Sequence, residues 1–261
     1  MTVDEYLQQV VAKYSPRDLT GSVFDISQLK ATLQKWASTC YSAILDSGSR
    51  AKGTAISLAS DVDYLVSLTS DCNENSGGLK SIYDSLHSTL KNSYPTARPQ
   101  NVSIRVTLGT ILGGVQVDVT PARKQPGNTN DHWLYLSKQG TRQQTNMQRH
   151  IADVSRSGRT SEIKALKIWR ELNQLDFPSV YLEYLLINHV LSGHGNDLGN
   201  NVWHVLNELA KDTSNPLFAR IIDPANSTNA LSDLLTTTEK QKIIAKAKVA
   251  AAQQNWNRVV W

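Results

Sequence analysis

Asp61 and Asp63 stand two residues apart in Ser60-Asp61-Val62-Asp63-Tyr64-Leu65-Val66, a run otherwise mostly apolar. Side chains two apart on a strand leave the same face, so both carboxylates point one way. Asp118, in Val115-Gln116-Val117-Asp118-Val119, likewise faces away from its valine neighbours. If the two strands are neighbours in one sheet, the three carboxylates converge. Gathered like charges repel, and such a site is unfavourable unless a cation binds. Hard oxygen donors suit Mg²⁺, which is usually held by a few carboxylates together with substrate phosphates. A solvated sheet face is the competing reading, since half-exposed strands alternate in the same way. Aspartate is disfavoured in strands, however, and its double occurrence calls for a reason.

The segment ahead of the pair, Ser47-Gly48-Ser49-Arg50-Ala51-Lys52-Gly53-Thr54, supplies a second kind of chemistry. Gly48 lets backbone approach a ligand closely, and Ser49 offers a hydroxyl and an amide to a phosphate oxygen. A Gly-Ser pair alone is an ordinary turn. Ser49 twelve to fourteen residues before Asp61 and Asp63, with a later strand aspartate, is a far more specific pattern.

The elements that must position these groups can be traced by periodicity. Leu29, Leu33, Trp36, Cys40 and Ile44 recur at three and four residues and predict a helix over 26–45, running into the Gly48 turn. Residues 61–68 predict a strand with Val62, Tyr64 and Val66 on one face and Asp61, Asp63 and Leu65 on the other. A polar loop over 70–78 leads to a helix striped by Leu79, Ile82, Tyr83, Leu86 and Leu90. Val102, Ile104, Val106 and Leu108 alternate, as do Val115, Val117 and Val119 after Gly113-Gly114, which predicts a hairpin. The β pattern fades after Pro121. From about Asn130 helices are expected, over 160–172, 179–191 and 200–210, with a last one in the tail over 237–255 opened by Glu239. The expected fold is α+β, with a mixed sheet and flanking helices in residues 1–130 (including an N-terminal helical arm) and a helical second lobe in residues 131–261. A crevice between two lobes is the natural place for a substrate.

Composition narrows the field without deciding it. The chain has 261 residues, 40% of them hydrophobic, which excludes wholesale disorder and allows a sizeable core. Its net charge of +4 permits attraction of phosphates but is not the footprint of a protein that coats nucleic acid. Cys40 and Cys72 are too few for a disulfide scaffold and lack metal-ligand spacing. His132, His150, His189, His194 and His204 show no ligand-like pairing and read as structural or surface residues. The start of the chain lacks the basic and apolar regions of a secretory signal, and the run over 180–191 is interrupted by Glu183 and Asn188. A soluble, cytoplasmic protein with no membrane partner is expected.

Gly48-Ser49…Thr54…Ser60-Asp61-Val62-Asp63, followed by Val117-Asp118-Val119, resembles the polymerase-β-type nucleotidyltransferase superfamily. In that superfamily a Gly-Ser loop holds the triphosphate and three carboxylates bind two divalent metals. The resemblance implies that Asp61 and Asp63 contact both ions (Mg²⁺, with Mn²⁺ as a substitute) and that Asp118, on the ion beside the attacking hydroxyl, helps activate it. Ile163-Lys164-Ala165-Leu166-Lys167-Ile168-Trp169 is similar to the Lys-x-Trp helix of oligoadenylate synthetases, cyclic GMP–AMP synthases and bacterial dinucleotide cyclases (the CD-NTase group). By position Lys167 inherits a contact to the donor triphosphate. Phe177-Pro178-Ser179 resembles the start of their next helix, where a serine also touches phosphate, and Asp223-Pro224-Ala225-Asn226 their late Asp-Pro-x-Asn segment. Relatives often carry a base-stacking aromatic after that serine; here the residue is Val180. The likeness spans about residues 47–235.

From the residues themselves, Lys167 could equally be a solvated helix lysine, Ser179 a helix cap, and Asp223-Pro224 a turn. The resemblance implies an Mg²⁺-dependent enzyme that joins nucleoside triphosphates and releases pyrophosphate, most simply a synthase of cyclic di- or oligonucleotide signals in bacterial anti-phage defence. ATP is the first candidate substrate, with GTP, UTP and CTP beside it. The alternative is a nucleotidyltransferase acting on RNA, of CCA-adding or tailing type. Arg142, Arg149, Arg156 and Arg159 keep that alternative open as a basic strip. An inert nucleotide-binding module is a third reading, opposed by the presence of the whole acidic trio and of the Gly-Ser pair.

Overall fold

The computed structural model describes residues 1–59, 61–72, 77–109, 114–127 and 129–261. Ser60 of the acidic motif, part of the 70–78 loop and Gly113 of the hairpin turn lie outside the described residues. Helix α1 (Val3–Lys13) starts at Thr2, whose hydroxyl accepts from the Glu5 amide while Glu5 accepts from the Thr2 amide. Helix α2 (Val23–Ala37) ends where Ser38 takes a positive φ of 48°, and a 3₁₀ turn (Ser38–Cys40) leads into strand β1 (Tyr41–Ser47). The helix expected over 26–45 therefore stops eight residues early. Its last stripe positions, Cys40 and Ile44, still pack on the core, because a strand with period two can also turn Ile44 inward. What decides for the strand is pairing: β1 runs antiparallel to β2 (Val62–Leu68), from Tyr41 opposite Leu68 to Ser47 opposite Asp63.

A single turn, α3 (Gly48–Ala51), follows β1, so the Gly48-Ser49 segment comes off a strand and not off a helix as expected. Helix α4 (Gly78–Ser93) buries Ile82, Tyr83, Leu86 and Leu90, the predicted stripe. Strands β3 (Arg98–Pro99), β4 (Ile104–Leu108) and β5 (Val115–Lys124) come next, and β4 and β5 pair antiparallel as the alternation predicts. Two strands then replace the expected helical run: β6 (His132–Leu136) pairs with the end of β5, and β7 (Thr141–Thr145) with β6. Their alternation is short, and its supports are distant in sequence. Ser67 Oγ lies 2.8 Å from His132 Nε2, and Arg142 stacks on Trp133 across the hairpin.

The remaining elements are α5 (Met147–Ser155), α6 (Thr160–Leu172), α7 (Ser179–Leu185) extended by a π turn (Leu186–Val190), α8 (Leu198–Leu209), the small hairpin β8 (Ile222–Asp223) and β9 (Asn226–Ala230), and α9 (Thr237–Ala251). Glu239 completes a capping box with Thr236 at the head of α9.

Among the described residues, seven strands form one mixed sheet of order β1-β2-β5-β4-β3, with β6 and β7 continuing from β5; β2 and β5 are parallel. One face, carrying Val62, Tyr64, Val66, Val117 and Val119, packs on α2 and α4. On the other, Leu65 and Ala122 meet Leu134. The chain forms two compact units. One comprises Asp18–Ala51 and Asp61–Ile151 and holds the sheet; the other comprises Met1–Arg17, Lys52–Ser60 and Ala152–Trp261 and is helical. The expected boundary near residue 130 differs from this division at both ends. Leu7 and Val10 of the N-terminal helix are buried in the core of the helical unit, and Tyr6 donates to the Val260 carbonyl at 2.7 Å. Ile56 belongs to the same core, which ties the 52–60 segment to it.

Cys40 and Cys72 form a disulfide that their number and separation did not suggest. Among the described residues, no helix is long and apolar enough to cross a membrane.

Candidate active site

The parallel pairing of β2 with β5 sets the central relationship. Asp63 lies directly opposite Asp118, flanked by Val62 opposite Val117 and Tyr64 opposite Val119. Paired residues share a face, and the valines and Tyr64 occupy the buried one, so Asp63 and Asp118 stand together on the other. Asp61, two residues before Asp63, joins them. One guanidinium records this directly: Arg105 Nη2 is 2.5 Å from Asp61 Oδ2 and 2.6 Å from Asp118 Oδ2.

The Gly48 turn reaches the trio because β1 ends beside it. Ser47 pairs with Asp63, so the next residue emerges next to that carboxylate. Gly48 has φ +65°, and a Cβ there would fall 1.9 Å from Asp63 Oδ2. Only glycine fits this position, on both steric and conformational grounds. Ser49 follows in α3, so sheet pairing alone brings Gly48, Ser49, Asp61, Asp63 and Asp118 into one neighbourhood.

Arg105 is the group that the sequence reading missed. It lies directly across from Asp118 in the β4–β5 pairing. Its Nε donates to Asp118 Oδ1 at 2.8 Å and its Nη1 to Gln116 Oε1 at 3.0 Å; Gln100 Nε2 adds a bond to Asp118 Oδ1 at 3.3 Å. The signal was available in Ile104-Arg105-Val106, where a charge alternates outward as Asp118 does, but its partner could be named only once the register was known. The Asp61 carboxyl titrates above the ordinary aspartate range, chiefly because burial disfavours its charge; Arg105 opposes this and Asp118 adds to it. The Arg105 guanidinium is held still more firmly in its charged form, first by its bond to Asp118.

Lys167 and Ser179 lie in the helical unit, each with partners of its own. Lys167 on α6 is 2% exposed; its ammonium donates to Glu183 Oε1 at 2.8 Å and to Thr54 Oγ1 at 2.9 Å. Glu183 on α7 is wholly buried, and its other oxygen accepts from Lys52 at 2.8 Å. One carboxylate thus serves two ammonium groups. Both lysines together hold Glu183 below the usual carboxylate range against the effect of burial, while burial pulls Lys167 below the usual lysine range. Lys52, Thr54 and Glu183 were not singled out from the sequence, although a glutamate within an apolar helical run was a visible clue. Ser179 opens α7 without capping it: Pro178 is the cap residue, and the Ser179 hydroxyl accepts from Arg170 at 3.0 Å. Asp223 caps its own turn, accepting from the Ala225 amide at 2.9 Å and from Asn229 at 3.0 Å.

No protein-family model matches the chain, and no curated protein matches it in sequence. Solved structures do match. CdnC of E. coli MS115-1 with ATP aligns over 95% of this chain and 89% of its own, at 22% identity and a TM-score of 0.68. The CD-NTase CdnG of Bradyrhizobium diazoefficiens, in complex with GTP, aligns over 100% of this chain and 95% of its own, at 12% identity and a TM-score of 0.75. The chain has a nucleotidyltransferase fold. The same fold is shared by the Cid1 poly(U) polymerase, which covers 97% of this chain with 95% of its own at 10% identity and a TM-score of 0.64.

The fold brings with it the expectation of divalent cations. As arranged, no group of three or more His, Cys, Asp or Glu side chains among the described residues is gathered as a metal site. The donor chemistry nevertheless fits: aspartate oxygens share one sheet face, and the Arg105 guanidinium already stands among them as a cation.

Proposed function

We propose that the protein is an Mg²⁺-dependent nucleotidyltransferase that joins nucleoside triphosphates with release of pyrophosphate, making a cyclic di- or oligonucleotide signal. The observation that carries this reading is the pairing of Asp63 with Asp118, with Asp61 on the same face and Gly48 against Asp63. The structural likeness to CD-NTases with bound ATP and GTP supports the substrate class.

In this reading a ribose hydroxyl attacks the α-phosphorus of a triphosphate; a new P–O bond forms as the bond to pyrophosphate breaks, and the hydroxyl proton departs toward Asp118. Gly48 gives the triphosphate access to backbone at the sheet edge, and the Ser49 hydroxyl and amide bind its oxygens. Asp61, Asp63 and Asp118 would hold divalent cations (Mg²⁺, or Mn²⁺ in its place), which neutralise charge on the attacking and leaving oxygens. Lys167 and Ser179 complete the assignment as phosphate contacts. For Lys167 that role requires its ammonium to exchange Glu183 and Thr54 for phosphate oxygens. The catalytic half is assigned to residues 1–130 and the nucleotide-binding half to 131–261, with α1 and residues 52–60 supporting the latter. A place in cytoplasmic anti-phage signalling is part of the same proposal, and the motif resemblance to bacterial dinucleotide cyclases is its support.

Incubation of the full chain with each labelled triphosphate, singly and mixed, in Mg²⁺ or Mn²⁺, tests the reading. Mass spectrometry of a product formed without RNA is the expected result. The likeness to the Cid1 poly(U) polymerase supports the second reading, tailing of RNA. Incorporation of label only into added RNA would establish that reading instead.

A further inference from the structure

We propose that Arg105 is a built-in counter-ion of the acidic trio, which bridges Asp61 and Asp118 while divalent cation is absent and is exchanged for it when the site is charged. The inference rests on the nucleotidyltransferase reading for the identity of the incoming cation, and on geometry for the rest.

Every guanidinium nitrogen of Arg105 is engaged on this face. Nε and Nη2 grip the two oxygens of Asp118 as a fork at 2.8 and 2.6 Å, Nη2 also takes Asp61 at 2.5 Å, and Nη1 takes Gln116 at 3.0 Å. Bidentate arginine–carboxylate pairs of this kind are among the stronger polar contacts a protein makes. The shared Nη2 holds one oxygen of Asp61 and one of Asp118 within about 5 Å of each other. Two oxygens on opposite sides of a Mg²⁺ are separated by about 4 Å, so the arginine keeps the two carboxylates within reach of a common cation.

Two further features make exchange the natural event. First, raising the pH does not release the group, because an arginine does not lose its proton in a protein. It leaves only when another positive charge takes over the carboxylates. Second, it is not locked in: the Arg105 side chain keeps 21% of its surface exposed and Asp61 keeps 33%. Without either cation, carboxylates gathered on one sheet face repel one another. The apo site therefore needs a cation of its own, and a bound metal must compete with the one it has. Metal affinity is held down until substrate phosphates contribute ligands. Arg105 is thus a positioning residue that acts through Asp61 and Asp118.

The test is direct binding of Mn²⁺ to the full chain without nucleotide, followed by the EPR signal of free Mn²⁺, for wild type, Arg105→Gln and Arg105→Lys. The glutamine variant is expected to bind Mn²⁺ at least about tenfold more tightly than wild type, and the lysine variant to fall between, since lysine keeps the charge but loses the fork. Adding Asp118→Asn to Arg105→Gln should remove the gain. A glutamine variant that is folded by circular dichroism yet binds Mn²⁺ no more tightly than wild type overturns the proposal; if that variant does not fold, the lysine variant decides by the same criterion. Triphosphate turnover is scored separately. A tenfold gain in a protein that makes no product keeps the counter-ion and removes the nucleotidyltransferase reading. Product without the gain does the opposite.

Discussion

Replacing Glu183 with glutamine should be among the most damaging single changes to the helical unit. The substitution keeps shape but turns one of two accepting oxygens into a donor, and it leaves Lys167 and Lys52, 2% and 6% exposed, without their shared counter-charge. Removing one partner of a buried ion pair typically costs about 3–5 kcal/mol, because the other charge stays behind. Here two charges stay behind, so the upper part of that range is expected. For a chain of this size the cost corresponds to a fall in melting temperature of roughly 10 °C or more. Circular dichroism melts at pH 7 would measure it.

The pH dependence adds a signature. Glu183 titrates below its ordinary range in the folded protein. Its contribution is therefore fully present above the unfolded carboxylate pKa, and it is lost as pH falls through the lower folded value. The glutamine variant has nothing to lose there, so the two proteins should converge in acid. Lys167 titrates below the ordinary lysine range, so between its folded and unfolded values the unfolded chain binds more protons and stability rises with pH. Without Glu183 that lysine falls further, and the deficit of the variant should also narrow in alkali. Combining Glu183→Gln with Lys167→Met should recover part of the loss. A melting temperature within about 2 °C of wild type at pH 7 would refute the reasoning, since no buried charge would then have been uncovered.

Three other changes probe the remaining elements. Asp61→Asn with Asp63→Asn should abolish pyrophosphate release while the melting curve shows an intact fold; full turnover in the double variant would remove these residues from the site. Gly48→Ala, measured by the same two assays, should cost about 1–2 kcal/mol of stability for the positive φ. It should also reduce turnover at least about tenfold, because the new methyl group displaces the Asp63 carboxylate. Leu7→Ala should destabilise the protein by about 2–5 kcal/mol in urea unfolding if the N-terminal helix is core, as its complete burial implies. A change below about 1 kcal/mol would return that helix to the status of an appended arm.

What could be read from the sequence and what could not divides along a physical line. Alternation in a strand is a local property, so Asp61, Asp63 and Asp118 could be assigned to polar faces before their neighbours were known, and the stripe of α4 appeared almost unchanged as its buried face. Register and pairing are not local. That Asp63 meets Asp118, that Arg105 sits across from Asp118, and that Ser47 delivers Gly48 to Asp63 depend on pairings of residues up to 55 apart. The same limit explains β1: helical spacing and strand alternation both place Ile44 inward, and only a partner strand breaks the tie.

Charge shows the limit most clearly. Motif likeness attached Lys167 to an anionic ligand, but only packing reveals that it already holds an anion, contributed by a glutamate sixteen residues away and shared with Lys52. The acidic trio is the mirror case, anions that already hold a cation through Arg105. In each cluster the protein's own opposite charge occupies groups assigned to a ligand of the same sign: Glu183 where phosphate is expected, Arg105 where metal is expected. Uncompensated buried charge is costly, so a site built to bind ions must be neutralised from within before they arrive. On the proposed assignments, ligand binding at either cluster is an exchange of partners, and its free energy is the difference between the incoming ion and the internal one.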